Sequence, residues 1–321
     1  MPSYQRGSKG NEVRQIQSRL KELGFYTGLV DGDFGGGTES AIKSFQKSKR
    51  LTLDGVVGPA TWAKLFPKEA IPAPAIHAKP VAFKCLALTG SFETNAPVPD
   101  CFAGLSGDFD GQGMSMGVCQ WNIGQGSLQP LLKKMDEEHR EVVKGIFHDD
   151  YPVFAAWLQE EREAQLEWIR GRQDPRHRLD EPWRGYFKAL GRTEEFQQIQ
   201  TAAADRLFKK GLALRKKYSL TSDRAAALMF DILVQNGSIG SITEAQIKAD
   251  FASLNPVPPA EQLEVERMKI VANRRAEAAK SEWMEDVRRR KLTIATGEGT
   301  VHGRYYNLAE QYGLGLTGSA G

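Results

Sequence analysis

Three short stretches within the first 65 residues, each punctuated by glycine turns, constrain this chain more than any other feature. Residues 7–24, GSKGNEVRQIQSRLKELG, set Val13, Ile16, Gln17, Leu20 and Leu23 at helical spacing, with Gly10-Asn11 as a start and Gly24 as a stop. The second stretch has a turn at Asp31-Gly32-Asp33 and glycines at 35–37. Thr38 is its expected N-cap, and Ala41, Ile42 and Phe45 share one helix face. The third repeats the logic: Asp54-Gly55 is a turn, Pro59 sits at a helix start, and Trp62 and Leu65 face inward. Three helices of this length predict a small bundle with little room for chemistry of its own.

The combined pattern is G-x-x-G-x-x-V-x-x-I-Q-x-x-L, then L-G-F-Y, D-G-x-F-G-x-x-T-x-x-A-I-x-x-F-Q and L-x-x-D-G-x-x-G-P-x-T-W. It resembles the peptidoglycan-binding domain of many wall hydrolases over residues 7–65. The resemblance implies that residues 1–66 hold wall glycan or stem peptide, with Asp31, Asp33, Phe34, Thr38, Asp54 and Thr61 lining the groove. Turn chemistry and capping are the alternative use of the same residues.

Residues 67–80 follow as a proline-rich, semi-rigid linker, PKEAIPAPAIHAKP. The remainder, 81–321, is rich in helical patterns. Periodicity predicts helices over 81–94, 127–146, 151–170, 194–218, 222–236 and 260–290, with a break at 237–241 and a short β excursion around 107–123. The 222–236 helix is apolar nearly all round, as a central buried helix would be. The cluster Arg288, Arg289, Arg290 and Lys291 reads as a solvated helix C-terminus favoured by the macrodipole.

Chemistry concentrates between Ser91 and Leu132. Hydrolysis of a glycoside needs one carboxylic acid to protonate the leaving oxygen and a second carboxylate to activate water. An acid that must hold its proton belongs in apolar surroundings, and Glu93 follows Leu86, Leu88 and Phe92. The second carboxylate belongs in a polar, hydrogen-bonding turn. Asp110, followed by Gly111-Gln112-Gly113, suits that role better than Asp108, and Ser115 is a candidate for positioning the water. Asp108, Gln112, Trp121, Asn122 and Gln125 are candidate substrate contacts. An Asp in a D-G turn also serves the turn alone, Trp121 also reads as core, and Asp231 reads as a buried network residue rather than a catalyst.

The sequence around these residues resembles the chitosanases of glycoside hydrolase family 46 and their lysozyme-superfamily relatives. The matching residues are Glu93, then Asp110-Gly111-Gln112-Gly113-Met114-Ser115-Met116-Gly117, then Gly124-Gln125-Gly126-Ser127-Leu128, with RAAALMFDILVQNG further on. Where the family has Arg in D-G-R-G, this chain has Gln112. The resemblance implies a mainly α architecture: a three-helix peptidoglycan-binding bundle plus an α-rich, lysozyme-like domain over 81–321 with a short β-hairpin. It implies Glu93 as general acid and Asp110 as general base. Beside a wall-binding module, the expected activity is that of an endolysin-type muramidase from a bacteriophage. A lytic transglycosylase would need Glu93 alone, and a non-catalytic wall-binding or virion protein would need neither acid.

Net charge is +3 on 321 residues, short of a nucleic-acid-binding composition and compatible with an anionic wall. Cys85, Cys101 and Cys119 form no CxxC and the five histidines are scattered, so neither a metal site nor a cofactor is expected. The cysteines read as small apolar residues, with a Cys101–Cys119 pair as an alternative. The start MPSYQRGSKG has no apolar h-region and no run of 18 apolar residues exists. The expectation is a monomer made in the host cytoplasm, not embedded in a membrane, with bacterial peptidoglycan as partner.

Overall fold

The computed structural model describes residues 3–254 and 259–318, and it is mainly helical with two small antiparallel sheets. The N-terminal bundle consists of α1 (Asn11–Glu22), α2 (Gly36–Ser48) and α3 (Pro59–Leu65). Val13, Ile16, Leu20, Phe34, Ile42, Phe45, Trp62 and Leu65 form its closed core. Gly35 and Gly58 stand at the N-caps of α2 and α3, with no side chain capping either helix. Thr38 is therefore not the cap of α2 but lies inside its first turn.

Two identical clamps hold this bundle. Gln17 of α1 is fully buried, and its Nε2 donates to Asp31 Oδ1 (2.8 Å), the Asp33 carbonyl (2.9 Å) and Thr38 Oγ1 (3.1 Å). Its Oε1 accepts from the Gly32 N–H. Gln46 of α2 makes the same set, to Asp54 Oδ1 (2.7 Å), the Val56 carbonyl (3.0 Å), Thr61 Oγ1 (3.2 Å) and the Gly55 N–H. Each amide satisfies a turn and the start of the next helix at once, as a buried polar group must be satisfied.

Contacts divide the chain into two compact units. One runs from the N-terminal bundle to Lys84 and adds Arg215–Leu228 and the chain from Ser238 onward; the other is Cys85–Leu214 with Met229–Gly237. A 3-10 turn at Ala75–Ala78 precedes α4 (Val81–Thr94). Within the first unit, His77 Nε2 donates to the Glu310 carbonyl at 2.8 Å and Ser3 Oγ donates to Glu310 Oε2 at 2.7 Å.

Strands β1 (Leu105–Ser106), β2 (Ser115–Met116) and β3 (Trp121–Asn122) form a meander where the β excursion is expected. Three expected helices are each two. Residues 127–146 give α5 (Gln129–Glu138) and α6 (Arg140–Phe147), parted at His139. Residues 151–170 give α7 (Tyr151–Gln159) and α8 (Arg162–Arg170), parted by extended Glu160 and Glu161. After α9 (Trp183–Arg192), residues 194–218 give α10 (Glu194–Ala203) and α11 (Asp205–Lys217). α9 lies where no helix is expected and buries Trp183, Phe187 and Leu190 in the core with Phe147, Phe154 and Trp157.

Helix α12 (Asp223–Asn236) is buried nearly all round, and Thr89 Oγ1 donates to its fully buried Asp231 at 2.9 Å. α13 (Ser241–Ala252) precedes α14 (Ala260–Glu277) and α15 (Met284–Thr296), so the expected long helix 260–290 is interrupted. The basic cluster does not close a solvated C-terminus. Val287, Arg290, Lys291 and Ile294 share the i, i+3, i+4, i+7 face, and Arg290 and Lys291 are buried with it. A second hairpin, β4 (Glu298–Val301) with β5 (Arg304–Asn307), and α16 (Leu308–Tyr312) complete the described chain.

Candidate functional site

Glu93 lies in the last turn of α4. Cys85, Leu86, Leu88 and Phe92 turn the rest of that helix inward, fully or almost fully buried. Asn95 takes a left-handed φ of 53° and ends the helix, while Thr94 Oγ1 donates back to the Gly90 carbonyl and accepts from the Ala96 N–H. The apolar side chains expected to surround Glu93 belong to the core, and Glu93 itself is exposed. Its near neighbour is the sheet. Gly90 lets Val118 and the Cys101 carbonyl approach the helix, and Thr94 packs against Gly104 at the entrance to β1. Burial first, and the Glu93 carboxylate second, push the Cys119 thiol up to about 12. None of the three cysteines is in a disulfide.

Asp110 sits at the other end of the same sheet, in the β1–β2 loop. The ladder between the two ends pairs Leu105 with Met116 and Ser106 with Ser115. Asp110 is exposed, and its Oδ1 accepts from the Gln112 N–H at 3.1 Å, two residues on. Ser115 stands opposite Asn122 on the neighbouring strand.

Asp108 is different. It is buried, with Oδ1 accepting from the Gly113 N–H (2.9 Å) and Oδ2 facing Arg170 Nε (2.7 Å). Burial pushes its carboxyl up, but the Arg170 guanidinium and the Gly113 N–H outweigh this and hold it below the usual carboxylate range. Both oxygens are occupied, so Asp108 fixes the loop rather than contacting substrate. Arg170 NH2 also donates to the Gly111 carbonyl, and the Asp108 N–H donates to Gln173 Oε1. Gly107 has no room for a methyl group against the His177 carbonyl, and Gly113 none against Leu166.

One further expected substrate contact is spent inside the fold. Asn122 is buried, its Oδ1 accepting from the Gln125 N–H while its own N–H donates to Ser127 Oγ. Gln112 is half-buried; its main-chain carbonyl accepts from the Gly124 N–H, and its side chain packs on Gly124. Trp121 is half-buried against the core, and Gln125 is exposed.

In the bundle, Phe34, Thr38 and Thr61 are interior and cannot line a groove: Phe34 is core, and the two hydroxyls complete the glutamine clamps. Asp31 and Asp54 are exposed but bound by the same clamps, and Asp33 pairs with Lys9 at 3.0 Å. The Asp31 carboxyl is held below its usual range by the Asp33 N–H and Gln17.

Sequence reading misses Phe109, Arg170, Gln173 and His177. Phe109, between Asp108 and Asp110 in the chain, is 67% exposed, and its ring meets that of His177 at 5.1 Å. The cationic run Arg170–Arg178 is the signal for the partners of this loop. Among the described residues, no group of three or more His, Cys, Asp or Glu is placed to hold a metal ion, and no helix is long and apolar enough to cross a membrane.

Residues 9–65 match the family described as "Putative peptidoglycan binding domain". Over 57 residues the chain is 53% identical to a spore cortex-lytic enzyme of Bacillus cereus, covering 18% of this chain and 22% of that protein. It is 49% identical over 57 residues to the N-acetylmuramoyl-L-alanine amidase CwlM of Mycobacterium tuberculosis, covering 18% and 14%. It is 40% identical over 65 residues to a zinc D-Ala-D-Ala carboxypeptidase of Streptomyces albus G, covering 19% and 24%. The chain thus spans less than a quarter of the length of these three relatives. Among solved structures, a chitosanase complex is similar with a TM-score of 0.42 and 19% identity, over 70% of this chain and 95% of that one. A family 46 chitosanase of Gynuella sunshinyii in complex with chitotetraose is similar with a TM-score of 0.42 and 13% identity, over 71% and 97%.

Proposed function

We propose that this chain is an endolysin-type glycoside hydrolase that cleaves the glycan strands of bacterial peptidoglycan, with Glu93 as general acid and Asp110 as general base. The observation that carries this reading is the combination, in one chain, of a peptidoglycan-binding bundle with two exposed carboxylates flanking a two-residue β ladder. The three relatives carry different names, and each matches this chain over no more than 65 residues, about the length of the bundle. The bundle therefore supplies location on the wall, and the chemistry belongs to the rest of the chain.

The roles follow from what each carboxylate touches. Glu93 projects, exposed, from a helix end beside the half-buried Cys119 thiol. It protonates the leaving glycosidic oxygen. Asp110 accepts one backbone N–H and leaves its second oxygen to a water, which it activates for attack on the opposite face of the sugar. Ser115, on the strand between the two ends, orients that water. The proposed bond lies between N-acetylmuramic acid and N-acetylglucosamine, reached after the protein leaves the cytoplasm for the periplasm.

A lytic transglycosylase reading draws on one observation: the Asp110 carboxylate braces its own turn, as a purely structural Asp does. Digestion of purified peptidoglycan by wild type, Glu93→Gln and Asp110→Asn separates the two. Hydrolysis yields reducing ends and fails in both variants. Transglycosylation yields anhydromuropeptides and survives Asp110→Asn.

A further inference from the structure

Phe109 is an exposed aromatic ring on a segment with no freedom to fold it inward. On one side Asp108 is pinned by Arg170, by the Gly113 N–H and, through its own N–H, by Gln173. On the other side Phe109 rests on His177 at 5.1 Å with the planes 49° apart. The turn carrying His177 is fixed as well. Asp174 accepts from the N–H groups of Arg176 and Arg178 and from the Arg178 guanidinium, and the His177 N–H donates to the Asp174 carbonyl. The ring is thus held in water, immediately before Asp110, by groups that move only if the loop comes apart.

The charges around it are largely spent. Asp108 takes Arg170 and Asp174 takes Arg178. What remains on these two segments is Asp110, which the proposed mechanism uses, and Arg176, whose guanidinium has no ion-pair partner among the described residues. A pyranose ring offers a face of weakly positive C–H groups that suits the negative face of an aromatic ring. The exposed guanidinium of Arg176, the residue before His177, suits a carboxylate and repels an ammonium group.

We propose that Phe109, backed by His177 with the exposed Arg176 preceding it in the chain, is a sugar-stacking subsite beside Asp110 for a glycan that carries acidic substituents, such as the stem peptides of the wall, and not for a polyamine glycan. The proposal rests on the glycan-hydrolase reading of Asp110. A preorganised platform of this kind binds without an ordering cost.

The test is equilibrium binding, by calorimetry, of two soluble N-acetylated tetrasaccharides, one carrying stem peptides and one without. Binding is measured to full-length Glu93→Gln protein and to the same protein with Phe109→Ala, Phe109→Trp or Arg176→Ala. The N-terminal bundle is identical in all four, so differences report the subsite. Phe109→Ala should weaken both ligands about tenfold, Phe109→Trp should restore binding, and Arg176→Ala should weaken only the peptide-bearing ligand. Equal binding by Phe109→Ala overturns the subsite, even if the wild type cleaves glycan. Equal loss of both ligands in Arg176→Ala overturns the preference for acidic substituents. If binding depends on Phe109 while the wild type turns over neither ligand nor whole wall, the subsite is supported and the hydrolase reading fails.

Discussion

Arg170 Nε lies 2.7 Å from Asp108 Oδ2, and the same guanidinium donates to the Gly111 carbonyl. One side chain on α8 therefore fixes both flanks of Asp110 without touching it. Such a contact acts on geometry, and a displacement of the order of 1 Å at a reacting group costs up to about a hundredfold in rate. Arg170→Ala should lower kcat on purified wall about ten- to a hundredfold with KM little changed. Arg170→Lys, which keeps the charge but not the fork, should recover only part of it. Steady-state kinetics on a soluble wall digest check this.

Because Arg170 and the Gly113 N–H hold the Asp108 carboxyl below its ordinary value against the opposing effect of burial, the pair links loop order to pH. A depressed folded-state value means that the stabilisation is complete above the ordinary value and fades as pH falls below it, through the folded value. The 107–113 loop should keep its order down to about pH 4 and lose it below. Hydrogen-exchange protection of the Gly113 amide against pH is the measurement; protection rising on acidification would contradict the pairing.

The paired clamps in the bundle predict paired costs. Gln17→Ala and Gln46→Ala each leave a turn N–H, a carbonyl and a threonine hydroxyl without their partner. Each should destabilise the bundle by about 2–3 kcal/mol, by similar amounts, in denaturant unfolding followed by tryptophan fluorescence from Trp62.

The closeness of Glu93 to Cys119 is itself testable. Cys85 and Cys101 are buried and should stay silent toward a thiol reagent in the folded protein. Cys119, held protonated by burial and by the Glu93 carboxylate, should react slowly at pH 8 and measurably faster in Glu93→Gln. An unchanged alkylation rate would place the two groups apart.

Much of this fold is legible in sequence wherever one face of an element is apolar. The three bundle helices, α4 and α12 follow from periodicity, and the meander from its glycines and alternating apolar residues. Legibility ends where a break depends on tertiary contact: His139, Glu160-Glu161 and the residues between Glu277 and Met284 carry no Pro or Gly, yet each parts two helices. It also ends where burial overrides charge. Arg290 and Lys291 look like a solvent-facing terminus until their register with Val287 and Ile294 is seen. At the site, Glu93 and Asp110 stand out in the sequence because their residue types and spacing suit the proposed chemistry. Asp108 and Asn122 mislead because a polar residue near an acid reads as a contact, whereas here each closes a turn from inside. Arg170 and His177 escape notice because they lie far along the chain from the loop they hold, Arg170 59 residues from Gly111 and 62 from Asp108.

The most direct test of the central claim is mass spectrometry of purified peptidoglycan digested by the wild-type chain and by Glu93→Gln. The structure predicts soluble fragments with new reducing sugar ends and intact stem peptides from the wild type, and none from Glu93→Gln. Freed peptides with the glycan strands uncut, or equal release by the two proteins, would contradict it.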